Sequence, residues 1–172
     1  MRTIPALVLL IAGAAAPTLA QSDAPAPVSL GGDIGIFAPS ESGSGSSVTA
    51  RFTADFYWWQ RQGMRFAAGF ANPTLGDTPN DASADMVYVS AGVIQRVTES
   101  SAHPYFHGDV GVFHFSGGLS ETDLGLALGG GLEFASGIKG VLLTPEVNAY
   151  MISGSAPRFS LALTIGLHSR PH

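Results

Sequence analysis

The chain of 172 residues contains no cysteine. Disulfide bonds, thiolate metal sites and a lipid anchor on a cysteine are therefore excluded. Cationic residues are also scarce, because Lys139 is the single lysine and 8 basic residues stand against 13 acidic ones. A nucleic-acid-binding protein carries a basic surface, and none is present here. The exterior of a soluble secreted protein is usually denser in mixed charge than this composition allows.

The first twenty residues have the pattern of a secretory signal peptide. Arg2 precedes an apolar run over 4–16, and Thr18-Leu19-Ala20 provides a small-x-small cleavage site. A retained anchor is the alternative, but a spanning helix needs about 20 apolar residues. We predict cleavage after Ala20 and a short periplasmic tail over 21–27. No later apolar run is long enough for a membrane helix, although 45% of the residues are hydrophobic.

After residue 27 the chain alternates between polar and apolar residues, with turn-rich stretches between the alternating segments. Arg51 and Asp55 share one parity, whereas Phe52 and Phe56 share the other, as on a strand with two different faces. The eight segments cover 28–38, 47–59, 64–71, 85–97, 104–116, 122–135, 140–152 and 157–168. We predict one all-β domain over 28–168, an eight-stranded antiparallel up-and-down β-barrel.

Alternation alone fits two barrels. A soluble lipocalin-like barrel turns its apolar parity inward, whereas a transmembrane barrel turns it toward lipid. Here the polar parity is rich in Gly, Ala and Ser, which suits the narrow interior of an eight-stranded barrel. Charges on that parity nearly balance, as buried charges require. The sequence therefore predicts a transmembrane barrel with a lumen charge network of Asp33, Arg51, Asp55, Arg65, Arg96, Asp109, Glu133, Glu146 and Arg158.

Connection lengths and aromatic positions support the membrane interpretation. The longest connection, 72–84 with Asp77 and Asp81 and with Asp85 directly after it, falls on the side opposite the N-terminus, where outer-membrane barrels have long loops. Aromatic residues cluster near the two ends of the predicted strands, where we expect two interfacial girdles. The inner girdle would hold Trp58, Trp59, Phe66, Tyr105, Phe106 and Phe134, and the outer one Phe37, Phe70, Phe113, Phe115, Tyr150 and Phe159.

Pro145 falls in the middle of a predicted strand. A closed barrel has no free edge at which the missing N–H of a proline is harmless. We therefore expect a bulge or a local break in strand pairing at this residue.

Two segments resemble the small outer-membrane β-barrel superfamily. "PYFHGDVGVFHFSGG" (104–118) has a Pro-aromatic-x-x-Gly-x-Gly strand, and 124–147 has a Gly-rich strand that ends in Glu-aromatic before a short turn. The resemblance covers most of 28–168. It implies a monomeric barrel in the outer membrane of a Gram-negative bacterium, in contact with lipid and lipopolysaccharide and inserted by the barrel assembly machinery. One departure is the ending "TIGLHSRPH", which lacks the terminal aromatic residue of such barrels.

His114 and Ser116 in "FHFS" are the candidate catalytic pair, since a histidine can activate a serine when a carboxylate orients it. The resemblance includes lipid A deacylases with a His-x-Ser pair on the lipid-facing surface. Those enzymes carry the pair on the strand after the Gly-rich segment, and that strand here reads "GVLLTPEVNAYMIS", without histidine. A motif counts only in its structural context. The sequence therefore favours an interfacial histidine and a protein that is not an enzyme.

The remaining candidate site residues are better explained by packing inside the barrel than by metal binding or catalysis. His103, His107 and Asp109 share a parity but lack a fourth metal ligand, so no metal or cofactor is predicted. Inward-pointing Glu133 and Glu146 are expected to pair with arginines instead of acting as acid and base. Eight strands leave little room for a pore. Three hypotheses remain: a structural or surface-interaction barrel, a lipid-modifying barrel enzyme, and a soluble periplasmic ligand-binding barrel.

Overall fold

The computed structural model describes residues 27–41, 43–59, 61–74, 83–98, 102–117, 120–154 and 159–170. Its strands are β1 (Val28–Pro39), β2 (Ser47–Tyr57), β3 (Gln62–Ala71), β4 (Ala84–Arg96), β5 (Ala102–Gly117), β6 (Glu121–Ala135), β7 (Val141–Ile152) and β8 (Phe159–Ser169). The predicted signal peptide and most of the tail lie outside the described residues, so they stay predictions. In the described ranges, no helix is long and apolar enough to cross a membrane.

The eight strands form one closed antiparallel barrel in sequence order. β1 pairs with β2 and also with β8, for example through Ile34↔Ile165, so the sheet has no open edge. The predicted fold class is confirmed, and every strand boundary lies within two residues of its predicted place. We call the end where β1 begins and β8 ends the terminal end, and the opposite end the loop end.

The two parities of each strand face different surroundings. Outward-facing Ile34, Leu128 and Leu163 are 64%, 53% and 61% exposed, whereas inward-facing Arg65 and Glu146 are almost fully buried. This distribution is the reverse of that in a soluble protein, where large apolar side chains lie inside. It excludes the lipocalin-like arrangement and agrees with the predicted inward direction of the charged parity.

Inward glycines make room for large side chains in the lumen. A Cβ added at Gly69 would collide with the ring of Tyr88, and one added at Gly129 would collide with His107. Gly32 faces outward, and a Cβ there meets nothing within 4 Å. The small residues of the polar parity are thus places where facing side chains cross a narrow interior.

The predicted break at Pro145 is present. β6 and β7 pair through Gly131↔Glu146 and again through Phe134↔Leu143, but the residues between these pairs are not paired. The register is the same on both sides of the gap, so it is a break without a bulge. On its other side Pro145 pairs with Ile165 of β8. The missing N–H therefore interrupts one ladder only.

The predicted aromatic girdles are wrong in five positions. Phe37, Tyr105, Phe113, Phe115 and Tyr150 lie inside the barrel, with at most 3% of their surface exposed. These residues share the parity of the lumen charges, and parity decides direction on a strand. Small inward neighbours leave space for the rings.

The other predicted girdle residues differ in exposure. Trp59, Phe66, Phe70, Phe106 and Phe159 are exposed, and Trp58 and Phe134 are half-buried.

Paired glycine substitutions test the packing of the lumen. Gly69→Ala should lower the free energy of unfolding by about 1–3 kcal/mol, because the new methyl overpacks against Tyr88. Gly32→Ala should leave stability unchanged or raise it by up to about 1 kcal/mol, since glycine is unfavourable within a strand. Urea titration in detergent micelles, followed by tryptophan fluorescence, measures both. Equal effects of the two substitutions would contradict the assignment of direction.

Candidate functional site

The lumen charge network is the largest group of ionisable side chains in the described structure. Each of the eight strands contributes at least one member, and none is more than 9% exposed. Its members are Asp33, Arg51, Asp55, Arg65, Arg96, His107, Asp109, Glu133, Glu146 and His168. The structure places eight of the nine predicted residues in it, and Arg158 lies outside the described residues.

Arg65 ties three strands together. Its Nε and Nη2 donate to the two carboxylate oxygens of Asp55 at 2.8 and 2.9 Å, and its Nη1 donates to Glu146 Oε2 at 2.9 Å. Asp55 lies directly opposite Arg65 on β2, whereas Glu146 reaches it across the lumen from β7. A bidentate arginine–carboxylate pair is among the stronger and more directional polar contacts in proteins.

Glu146 is the centre of the network. Besides Arg65, it meets Arg51 Nη1 at 2.6 Å and His107 Nε2 at 3.1 Å, and it accepts a hydrogen bond from the Tyr105 hydroxyl. Arg51 in turn donates from Nε to Asp33 Oδ2 at 2.9 Å. Glu146 thus contacts two guanidinium groups, each of which also forms an ion pair with an aspartate.

Two histidines belong to the network although the sequence-based prediction of the network did not include them. His107 places Nδ1 2.7 Å from Asp109 Oδ2 and Nε2 3.1 Å from Glu146 Oε1. Both ring nitrogens of His107 therefore lie within hydrogen-bond distance of a carboxylate oxygen. His168 Nε2 lies 2.9 Å from Asp33 Oδ1. The sequence could have indicated both histidines as network members, because they lie on the inward parity. That parity carries five buried carboxylates and only three described arginines.

The Arg96–Glu133 pair lies at the terminal end of the network. Arg96 Nε and Nη2 donate to Glu133 at 2.7 and 2.9 Å, and its guanidinium lies 4.1 Å from the centre of the Tyr57 ring. The cation–π contact adds a favourable electrostatic term. The Arg96 side chain is 11% exposed, more than either arginine deeper in the lumen.

Toward the loop end, aromatic rings dominate the buried interior. There the hydroxyls of Tyr88 and Tyr150 are 3.1 Å apart, and the Tyr88 ring stacks on Phe113 at 5.2 Å. The loop-end aromatic cluster comprises Phe37, Met86, Tyr88, Phe113, Phe115, Tyr150 and Ile152. The interior therefore has two layers, one ionic and one aromatic, and both consist of packed side chains.

The candidate catalytic pair does not converge. His114 and Ser116 both face outward, but His114 Nδ1 lies 2.8 Å from Thr122 Oγ1, its partner in the β5–β6 register. Within the described ranges no hydrogen bond joins His114 to Ser116. Asp85 lies opposite Ser116, yet its Oδ1 accepts a hydrogen bond from the Asn72 side chain at 2.5 Å. The histidine, the serine and the carboxylate are therefore not connected by hydrogen bonds as a catalytic triad would be.

The metal candidates are also separated. His107 and Asp109 contact each other within the network, whereas His103 donates from Nδ1 to the Thr98 carbonyl at 3.1 Å. Among the described residues, no group of three or more histidine and carboxylate side chains could hold a metal ion.

Comparison with known proteins establishes the fold. No protein-family model and no curated protein sequence matches the chain. Among solved structures, Neisserial surface protein A is similar with 20% identity over 83% of this chain and 96% of its own, at a TM-score of 0.66. Ail, the attachment invasion locus protein of Yersinia pestis, has 17% identity over 85% and 99%, at 0.54. The outer membrane enzyme PagL has 19% identity over 82% and 98%, at 0.54.

These likenesses confirm the predicted resemblance at the level of the fold. The chain has the closed eight-stranded architecture of the small outer-membrane barrels. Two of the three similar structures carry names of surface or attachment proteins and one is named an enzyme, so the fold alone does not assign an activity.

Substituting the central carboxylate tests the network. Glu146→Gln should lower the free energy of unfolding by about 3–5 kcal/mol, because breaking a buried pair leaves uncompensated charge. Glu133→Gln, which removes the partner of the more exposed Arg96, should cost clearly less. The readout is the urea midpoint of the barrel refolded into micelles. A larger loss at Glu133 than at Glu146 would contradict the central position of Glu146.

Proposed function

We propose that the protein is an integral outer-membrane β-barrel with a closed, charge-paired lumen, whose role is structural or is exerted through contacts of its loop-end connections. The observation that carries this proposal is the inverted polarity of the barrel, with large apolar side chains outside and ion pairs inside. The terminal end then faces the periplasm and the loop end faces the cell exterior.

Strand length and backbone bonding support residence in a bilayer. The shortest strand, β3, has 10 residues and the longest, β5, has 16, and a tilted strand needs about 9–11 residues to span the hydrocarbon. A closed barrel pairs the backbone of every strand on both sides, as a medium without water requires. A continuous apolar exterior of this extent would be a strong aggregation liability in water.

The packed interior argues against a transport role. Arg65, Glu146 and Phe113 are each at most 2% exposed, and they come from the two different layers of the lumen. An ion that passed through would have to separate buried pairs and then cross the aromatic layer, and both steps are costly. The loop-end connections are therefore the part of the barrel left to meet partners. The names of Neisserial surface protein A and of Ail support a role at the cell surface.

A pair of arginine substitutions tests the lipid-facing assignment. Leu128→Arg, halfway along β6, should destabilise the barrel in bilayers by about 2–4 kcal/mol, whereas Val48→Arg, near the loop end of β2, should cost about 0–1 kcal/mol. Urea unfolding in lipid vesicles gives both values. Fractionation and an SDS gel with and without boiling complete the experiment, because a closed barrel should resist SDS until heated. A soluble periplasmic band without a heat shift would refute the proposal.

The lipid-modifying alternative makes a separate prediction. Because the His114 ring is bonded to Thr122, we expect lipid A in membranes that contain the wild type to keep its acyl chains, with an identical pattern for His114→Ala and Ser116→Ala. Mass spectrometry of extracted lipid A is the measurement. Release of fatty acid by the wild type, lost in both variants while the heat-shifted band persists, would establish the enzyme instead.

A further inference from the structure

Charged side chains outside the lumen sort by the end of the barrel. In the described ranges, those at the terminal end are Arg61, Lys139 and Arg170, and those at the loop end are Glu41, Asp85, Glu121 and Asp123. The described terminal end is thus purely cationic and the loop end purely anionic. A surface of one sign attracts ligands of the opposite sign.

A backbone hydrogen bond joins the chain segments that carry two of the three cations. The turn between β6 and β7 is shaped by Gly137 and Gly140, with φ of 88° and 77°, and it places Ile138 and Lys139 at its tip. Across the adjacent ladder, the Arg170 N–H donates to the Gly140 carbonyl at 2.8 Å. Arg170 is therefore bonded to the residue that directly follows Lys139 in the chain.

Hydrogen bonds fix the shape of this turn. Ser136 Oγ accepts from the Ile138 N–H at 3.2 Å and donates to the Val141 carbonyl at 3.0 Å. The Val141 N–H donates to the Ile138 carbonyl at 3.1 Å. A turn held by three such bonds presents its tip residues in one geometry, so little conformational entropy is lost when a ligand binds.

The tip combines apolar surface with positive charge. Ile138 is 63% exposed and Lys139 and Arg170 are exposed as well. Within the described part of the chain, neither cation forms an ion pair. Arginine and lysine are the side chains that bind phosphate groups. An exposed isoleucine beside them suits a ligand whose anionic group carries a hydrocarbon chain.

We propose that Ile138, Lys139 and Arg170 form a binding site for the headgroup of an anionic phospholipid in the periplasmic leaflet. Lys139 and Arg170 contact the phosphate, and Ile138 lies among the first methylenes of the acyl chains. This inference rests on the proposed function, because it requires the terminal end to lie at the periplasmic interface. Basic residues near a membrane surface favour anionic lipids in this way.

The barrel itself provides a matched control. Arg61 lies on the β2–β3 turn, four strands away around the same rim, and so on the opposite side of the barrel from the β6–β7 turn. Arg61→Gln removes one charge from the terminal end without changing the proposed site. A rim that attracts lipid only through its total charge would respond to this substitution as it does to Lys139→Gln.

The experiment measures bound lipid. The full chain without its signal peptide is refolded into bilayers of equimolar phosphatidylcholine and phosphatidylglycerol, extracted in mild detergent, and analysed by native mass spectrometry. We expect the wild type to retain phosphatidylglycerol selectively and each loss of Lys139 or Arg170 to weaken retention about fivefold. Arg61→Gln should leave retention unchanged. Ile138→Ser should weaken it, because the acyl chains lose an apolar contact.

Several results would overturn the site. Unchanged retention in the Lys139→Gln/Arg170→Gln variant would do so, as would an equal loss in Arg61→Gln. Displacement of the lipid by millimolar inorganic phosphate, with no effect of Ile138→Ser, would show a site for the free anion instead. All variants should give the heat-shifted band in pure phosphatidylcholine. If the wild type fails to insert there, the proposed function fails and this inference fails with it.

Discussion

The neutralisation of Glu146 by Arg51 and Arg65 is the interaction on which the rest of the structure depends. These three residues stand on β7, β2 and β3, and they meet across the interior of the barrel. A charge removed from water without a partner costs several kcal/mol, so the polar face can turn inward only if its charges find one another. Once it does, the apolar parity of all eight strands faces outward together.

Packing in the lumen follows from the same constraint. Long ion-paired side chains need space, and inward glycines such as Gly129 provide it opposite His107 and Asn148. Toward the loop end, aromatic rings fill much of the volume instead. The lumen is therefore a core with two layers, one of ion-paired side chains and one of packed aromatic rings.

The two ends of the barrel differ in ways that the lumen does not explain. Among the described residues outside the lumen charge network, the arginine and lysine side chains lie at the terminal end and the aspartate and glutamate side chains at the loop end. In the proposed function, the terminal end faces the periplasm and the loop end faces the cell exterior. The two proposals made above concern different ends, lipid binding at the terminal end and contacts with partners at the loop end.

The sequence by itself determined the elements and the direction of most side chains. Alternation of period two is a local property, so the eight strands, the inward position of Arg51 and Asp55 and the break at Pro145 could all be read from neighbouring residues. The same rule, applied strictly, would also have placed Phe37 and Tyr150 inside. The prediction that these two residues are interfacial used their position along the strand and did not apply the parity rule.

Only the tertiary structure decided which inward residues meet. That Glu146 reaches Arg65 from the far side of the lumen, or that His107 bridges Asp109 and Glu146, depends on the register of every strand pair between them. The position of one strand relative to a distant strand is the sum of the registers of all the pairs between them. The sequence of a single strand does not determine those registers. The same holds for Lys139 and Arg170, which are distant in sequence and adjacent only because β7 and β8 pair at the terminal end.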